Sequence, residues 1–379
     1  MQGRSLAIIL SGVIAIGSYI QYNMLQSNKK LTQNIVNYTS RQMAQNIAQT
    51  GVYMGLRQLA NNRAWRTGYT NLPLMGGTVT VRVVDTTFSG RTAIGVIASA
   101  KVSFGTFADS SDKMHDSIGY SRAYLPKGFI PATVKAAITT NNPVSTLGGL
   151  IVDGRDHDMN GNFLSNSGTL GIWTTKTYSQ SGNSKTGGTD SATRVDYAPS
   201  KPANIMTFKT NQIWPGGYPG SPDSIVGGPS MGFAEGTLKA IAQSGINGSQ
   251  YTTDPSTLRF PLRGVTYVEL ASGGSWIGNP LDGSGVLVVH NASKNAILKN
   301  FNPSTAVFKG LMIIDDPVHI HNTVIGALIG LSPAPSEGNC IGNGNGSVLF
   351  SNEAIATATG QILGSLSGAC DANVLAWWE

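Results

Sequence analysis

The stretch DGRDHDMNGN, from Asp153 to Asn162, combines the oxygen-bearing side chains that calcium prefers with a glycine that permits a sharp bend. Its middle matches the first half of the loop pattern D-x-[DN]-x-[DN]-G at Asp156, Asp158, Asn160 and Gly161. The second half of the pattern fails, because Ser167 stands where a bidentate glutamate is expected. We therefore consider a calcium site that uses Asp153 as an extra ligand, with a plain Asp/Asn/Gly turn as the alternative.

A second group of chemically capable side chains lies in IIDDPVHIHN. His319 and His321 are two residues apart, so on a strand they point to the same side, as His-x-His metal sites require. Asp315 and Asp316 precede them, and His290 ends an earlier apolar segment. A metal or acid-base cluster is one hypothesis, and a solvated strand edge is the other, because the sequence fixes no third ligand. No nucleophile elbow, P-loop or dinucleotide fingerprint occurs, so the sequence predicts no enzyme activity.

Two cysteines, Cys340 and Cys370, lie near the C-terminus in a spacing that matches no zinc or redox motif. A disulfide is the first prediction. It would contribute on the order of 3 to 4 kcal/mol by loop entropy and would hold the C-terminal segment to the body. Two reduced core thiols are the alternative. No cofactor other than calcium is indicated.

The charge of the chain is low and unevenly placed. Charged residues make up 12% of 379 residues, and the net charge is +6. Residues 1–84 carry eight Lys or Arg and no acid, which leaves 18 basic and 20 acidic residues in the rest. The absence of a basic run interleaved with aromatic residues argues against nucleic-acid binding. Arg4, Lys29 and Lys30 flank an apolar run and suit a membrane flank.

That apolar run, RSLAIILSGVIAIGSYIQ from Arg4 to Gln21, begins a long helical pattern. No proline interrupts residues 1–72, and a helix of about 55 residues would be roughly 80 Å long. Three interpretations are open: a signal peptide cleaved near Ala15-Ile16-Gly17, a single-span anchor with a stalk, or a packing stem retained in a polymer.

The continuation past residue 30 favours the packing stem. Apolar residues form two neighbouring rows, namely Leu31, Ile35, Met43, Ile47 and Leu59, and Val36, Ala44, Ala48, Val52 and Leu56. The opposite face carries uncharged Gln, Asn, Ser and Thr, which cost less to bury than charges. Small residues at intervals of four, including Gly51 and Gly55, let helix backbones approach closely. The predicted filament-packing residues are Leu6, Ala7, Leu10, Ser11, Ile14, Ala15, Ser18, Ile35 and Ile47.

Beyond the stem, the apolar period changes from 3.6 to 2, which predicts a β-rich body and an α+β fold. GGTVTVRVVD and AIGVIASAKV are typical of an antiparallel strand pair, and FAEGTLKAIAQ is the one short helix predicted. Residues 177–203 and 214–232 have the Gly, Pro and Ser content of loops. We divide the chain into a helical stem at 1–62, an antiparallel β region at 63–135 and a β-rich body at 136–379.

The last of these regions contains a weak repeat. A Gly or Ser leads an apolar strand in GVTYVEL, GVLVVHN, GLMIIDD, GALIGLS and SVLFSNE, which begin at residues 264, 285, 310, 326 and 347. Such spacing predicts the rungs of a β-solenoid, in which each turn buries its face on the next. An irregular β-sandwich with glycine turns is the alternative.

The unbroken helix that closes on IAQTGVYMGLRQL, from Ile47 to Leu59, resembles the stem of type IV pilin-like proteins and is most similar to the PilX-type minor pilins. The resemblance implies an apolar half that first anchors the subunit in the inner membrane and then packs into a filament core, with pilus assembly machinery as a partner. One departure is that the glutamate usual at the fifth mature position is absent; Ser5 occupies that place if Met1 is the mature first residue.

From these features we expect a structural subunit of a pilus-like filament on the bacterial surface, polymerised with itself or with other pilin subunits. The rival hypothesis is a membrane-anchored β-solenoid enzyme or adhesin that acts on polysaccharide, with Asp156, Asp158, Asp315 or Asp316 as acids or calcium ligands. It leaves the Gln- and Asn-faced half of the helix without a purpose.

Overall fold

The computed structural model describes residues 2–61, 65–88, 91–105, 114–277, 281–301, 306–336, 340–366 and 376–378. The α-helices are α1 Gln2–Asn61, α2 Pro222–Ile225, α3 Thr237–Ser244 and α4 Asn352–Leu366. Short 3-10 helices span Ile205–Thr207, Gly228–Met231, Ile246–Gly248 and Pro255–Thr257.

The strands are β1 Tyr69–Leu74, β2 Gly77–Phe88, β3 Arg91–Gly105, β4 Met114–Pro126, β5 Ala136–Thr140, β6 Val144–Gly148, β7 Ile151–Asp153, β8 Asp156–His157, β9 Phe163–Leu164, β10 Leu170–Thr174, β11 Tyr178–Gln180, β12 Lys185–Thr189, β13 Asp196–Ser200, β14 Phe208–Lys209, β15 Gln250–Thr252, β16 Val265–Glu269, β17 Ser275–Ile277, β18 Gly283–His290, β19 Ile297–Phe301, β20 Val307–Ile314, β21 Asp316–Ile320, β22 Thr323–Gly330, β23 Cys340–Gly344, β24 Ser347–Phe350 and β25 Ala376–Trp378. One long N-terminal helix is thus followed by a β-rich body, as the sequence predicts.

The chain forms two units. Unit 1 contains Met1–Thr86, Ile94–Tyr124 and Ala376–Glu379, and unit 2 contains Thr87–Ala93 and Leu125–Leu375. The predicted boundary between residues 62 and 63 marks the change from helix to strand. It does not separate two packing units, because α1 and the first sheet belong to unit 1.

In unit 1 the second half of α1 packs on a sheet of strand order β1-β2-β3-β4-β25. The pairs β1/β2 and β4/β25 are antiparallel. The helix buries four of the five residues in one predicted row, namely Ala44, Ala48, Val52 and Leu56, whereas Val36 is half-buried. The opposing strands alternate inward residues at a period of two, so that Val79, Val81 and Val83 are buried. The helical and strand patterns therefore meet at one apolar interface.

Unit 2 is dominated by parallel strands. One sheet has the path β13-β12-β7-β24-β22-β20-β18-β16-β15 with β5, β10 and β14 attached beside it, and a second has the order β11-β6-β23-β21-β19-β17. Except for the antiparallel β12/β13 pair, every pair with a described register in these two sheets is parallel. Central strands of such sheets are covered on both faces and are apolar without alternation. The fully or nearly fully buried run from Val286 to Val289 is an example.

The five repeat segments predicted from the sequence are neighbours in this sheet, as β16, β18, β20, β22 and β24. Their leading glycines align, with Gly285 opposite Gly310 and Gly310 opposite Gly326. The φ angles of these three glycines are +120°, +142° and +143°. A Cβ atom added to Gly310 would overlap the carbonyl oxygen of Gly285, and one added to Gly326 would overlap that of Gly310. Glycine is thus required for neighbouring backbones to approach this closely.

Two sequence predictions need correction. Residues 177–203 were predicted as a loop, but they contain β11, β12 and β13. Their Gly, Ser and Thr content fits a strand that is crowded by neighbouring backbone, as at Gly187, where an added Cβ would meet main-chain atoms of Pro199 and Tyr197. The short helix expected from FAEGTLKAIAQ is α3, but it is not alone: α4 packs against β18, β20 and β22 and buries Ile355 and Ile362.

Candidate functional site

The first half of α1 presents apolar side chains that are not covered within this chain. From Leu6 to Tyr38, its large apolar side chains are 51–72% exposed, except for Val36, which is half-buried. The helix is long and apolar enough to cross a membrane, and no residue in its most apolar stretch of 18 residues is buried. This composition suits a membrane anchor or a signal segment. An exposed apolar surface of this size marks a contact with lipid or with another protein.

Eight of the nine predicted packing residues lie on the uncovered half of α1: Leu6, Ala7, Leu10, Ser11, Ile14, Ala15, Ser18 and Ile35. The prediction for Ile47 is corrected. Its side chain is fully buried in unit 1, beside Gly77 of β2. Ile47 therefore stabilises its own unit and is not available to a neighbouring helix.

The small residues of the second half also serve the unit itself. Gly51 and Gly55 were expected to bring two helices together, but they face the sheet. A Cβ added to Gly51 would lie 2.7 Å from Val79 Cγ2, and one added to Gly55 would lie 2.7 Å from Val96 Cγ1. Both glycines thus let the helix axis approach the strands.

Part of the uncharged polar face is used within unit 1 as well. The hydroxyl oxygens of Ser40 and Ser117 are 2.8 Å apart and buried. Gln45 Nε2 donates a hydrogen bond of 2.8 Å to the carbonyl oxygen of Tyr120. Amide and hydroxyl groups can join a sheet in this way without the desolvation cost of a charge.

The predicted calcium ligands do not converge on a common point, because each carboxylate is occupied by its own donors. Asp153 pairs with the Arg155 guanidinium, with an Oδ2 to Nη2 distance of 2.7 Å. Asp156 accepts hydrogen bonds from the backbone and side chain of Asn352 at 2.9 and 3.0 Å. Asp158 accepts from the backbone N–H groups of the fourth predicted ligand, Asn160, and of its neighbour Asn162. This is the turn-forming alternative, and it fixes the start of α4 through Asp156.

Asp153 also holds His157, whose Nε2 lies 3.5 Å from Asp153 Oδ2. Burial would lower the pKa of His157, but the hydrogen bonds with Asp153 and the Phe350 carbonyl outweigh burial and raise it. Burial likewise opposes ionisation of Asp153, but the bonds from His157 and Arg155 lower its pKa overall. The three residues therefore form a buried ionic group, which ties the loop after β7 to β24 through Phe350.

The histidines of the second candidate cluster separate into two groups. His290 Nδ1 is 2.7 Å from Oδ1 of Asp315, which is completely buried. His319 Nδ1 contacts Asn300 Oδ1 at 3.0 Å, and its ring centroid is 6.5 Å from that of His321. Burial, followed by the charge of His319, lowers the pKa of His321. This arrangement does not favour the hypothesis of a single metal or acid-base cluster.

Asp316, the remaining member of that predicted cluster, accepts a backbone hydrogen bond from Ser336 at 2.7 Å. Within the described ranges, no group of three or more His, Cys, Asp or Glu side chains is placed to hold a metal ion. The predicted disulfide involves Cys370, which lies outside the described residues, while the backbone of Cys340 pairs with Val144.

One polar group was missed at the sequence level. Lys239 of α3, Tyr251 of β15 and Glu269 of β16 converge, with Glu269 Oε2 2.7 Å from Lys239 Nζ and 2.6 Å from Tyr251 Oη. The hydrogen bond from Lys239, then that from Tyr251, lowers the pKa of Glu269. Glu269 is also the register partner of His290. Only the pairing of β16 with β15 and β18 reveals this group.

Comparison with known protein families, with curated proteins and with solved structures found no match.

Proposed function

We propose that this chain is a structural subunit of an extracellular filament on the bacterial surface, in which the first half of α1 packs against the same half of neighbouring copies. One observation carries the proposal. A single unbroken helix, Gln2–Asn61, commits its second half to its own sheet and leaves a long apolar first half uncovered.

The proposal includes a temporary membrane state. Before assembly, lipid of the inner membrane covers the apolar half of α1, and in the filament other stems cover it. Assembly then exchanges one apolar environment for another, so close packing of small residues such as Ala7, Ser11 and Ala15 supplies the preference for the polymer. This sequence of events is also what the pilin-like resemblance implies, with pilus assembly machinery and other pilin subunits as partners.

In this proposal the parallel strands of unit 2 wind as a β-solenoid on the outside of the filament. The in-register glycines Gly285, Gly310 and Gly326 support this winding, because equivalent positions recur from one strand to the next.

The test is electron microscopy of sheared surface material, combined with N-terminal sequencing of its main band. The informative substitutions are Ala15→Arg, which places a charge in the packed helices, and Ala15→Trp, which adds bulk but keeps the segment apolar. Both are expected to abolish filaments while the β-rich body stays folded. Because a buried Arg costs about 2.5 to 3.5 kcal/mol at the centre of a membrane helix, only Ala15→Trp separates packing from membrane insertion.

A matched control is Met75→Arg, which adds the same charge at an exposed turn of unit 1. It is expected to leave filaments intact. Filaments of normal length from both Ala15 variants would contradict the proposal, as would a secreted, soluble monomer whose first residue lies near Ser18.

The second candidate function is a membrane-anchored protein that acts on polysaccharide. It is favoured by the contact between Asp315 and His290 Nδ1, because a buried carboxylate can orient a histidine that transfers protons to and from a substrate. It predicts single anchored molecules in the sheared material and loss of glycan cleavage in His290→Gln.

A further inference from the structure

A cleft of about 440 Å³ opens on unit 2 beside the C-terminal end of α3. Its walls include Gln243 in the last turn of α3, the residues of β15, and the segment from Thr257 to Arg259. The volume falls in the range of small-molecule sites, about 300–1,000 Å³.

The walls of this cleft are held in place before any ligand arrives. Gln250 and Arg259 exchange two hydrogen bonds, from Gln250 Nε2 to the Arg259 carbonyl and from the Arg259 N–H to Gln250 Oε1, both 2.9 Å long. The hydroxyl oxygens of Thr252 and Thr257 are 2.8 Å apart. Tyr251, which also lines the cleft, is anchored through its hydroxyl to Glu269. A preformed wall lowers the ordering cost of binding.

Two polar side chains in the cleft have no such anchor. Within the described residues, the guanidinium of Arg259 forms no hydrogen bond or ion pair, and neither does the amide of Gln243. The nearby charge of Lys239 is compensated by Glu269. Arg259 is therefore the uncompensated cation of this wall, and its planar fork suits a carboxylate. Gln243 offers both donors and an acceptor, which suit hydroxyl groups.

We propose that this cleft binds an acidic sugar, whose carboxylate pairs with Arg259 and whose hydroxyl groups bond to Gln243. The cleft lies within unit 2 and does not depend on filament assembly. Failure of the proposed function would therefore not contradict this binding site, and failure of the binding site would not contradict the proposed function.

The experiment is isothermal titration calorimetry of the full-length chain in detergent micelles with glucuronate, glucose and acetate. Glucose keeps the hydroxyl groups without the carboxylate, and acetate keeps the carboxylate without the ring. We expect saturable binding of glucuronate with a dissociation constant at least about tenfold below that of either half-ligand. No saturable binding of glucuronate, or equal binding of glucose or acetate, would overturn the proposal.

The variants assign the binding to Arg259. Arg259→Gln is expected to weaken glucuronate binding about tenfold or more, and Arg259→Lys to weaken it less, since Lys keeps the charge but loses the fork. Lys185→Gln removes one charge on β12, which is next to the end of the strand path opposite β15, and is expected to bind as the native chain does. An unchanged unfolding midpoint verifies that Arg259→Gln folds, because the side chain is exposed. Equal affinities of Arg259→Gln and the native chain would refute the assignment.

Discussion

Replacing Gly310 by alanine tests the closest backbone approach in the parallel sheet. Gly310 lies between Gly285 and Gly326 on neighbouring strands, at a φ of +142°. Alanine adds one methyl group, which meets the carbonyl oxygen of Gly285. That oxygen belongs to the main chain and cannot rotate away, so β18 and β20 must separate locally.

Two effects contribute to the expected loss of stability. Holding a non-glycine residue at a sparsely populated backbone conformation costs of order 1–3 kcal/mol. Overpacking of a rigid interior costs typically 1–3 kcal/mol more. We therefore expect Gly310→Ala to lower the free energy of unfolding of unit 2 by about 2–6 kcal/mol, which corresponds to a fall in Tm of roughly 4–24 °C for a domain of this size.

Urea unfolding of the full chain in detergent measures this loss, followed by fluorescence of tryptophan residues such as the buried Trp276. The control is Gly273→Ala, at a turn where φ is +70° and no atom lies within 4 Å of the added Cβ. This control carries a conformational cost of about 1–2 kcal/mol for a left-handed residue and no overlap. If both variants lose the same stability within about 0.5 kcal/mol, the overlap contributes nothing and the described strand spacing is wrong.

Two further perturbations address the ionic group and the stem. Because the pKa of His157 is raised above its ordinary 6.5, the stability from its protonated form is present below that pH and lost as pH rises through the folded-state pKa. His157→Gln should abolish this loss of stability, as measured by urea titrations at a series of pH values. The stability contributed by Asp153, whose pKa is lowered, is lost only as pH falls below 3.8. Gly51→Leu should destabilise unit 1 by about 1–3 kcal/mol, measured by hydrogen exchange of β2, because its Cβ meets Val79. Gly12→Leu, with no atom within 4 Å, should leave that exchange unchanged.

The elements of this fold could be predicted where a periodic pattern is long. Helix α1 shows no proline and a repeated apolar row. Strand β16 follows Gly264, and β18, β20 and β22 each contain a glycine that leads an apolar run. Helix α4 was missed because its first residue, Asn352, is held by Asp156 of β8, which is far away in the sequence. The strand order could not be predicted either, since β24 pairs with β7, and no local pattern encodes a partner so distant along the chain.

The candidate site was likewise predictable from local sequence patterns only in part. The exposure of residues such as Leu10 follows from the apolar run itself. The role of Gly51 was misjudged because a spacing of four residues suits a helix-to-sheet contact as well as a helix-to-helix contact. The convergence of Lys239, Tyr251 and Glu269 depends on strand register, which three isolated residue types do not reveal.

The pairing of β25 with β4 has a consequence for synthesis in the cell. Residues 376–378 form an edge strand of the same sheet that supports α1. Because α1 is synthesised long before β25, the sheet lacks its fifth strand until the intervening residues have been made. Until then β4 presents an unpaired edge, and unpaired edges pair with strands of other chains. Quality control that recognises this edge of β4 would act on chains in which β25 has not yet docked.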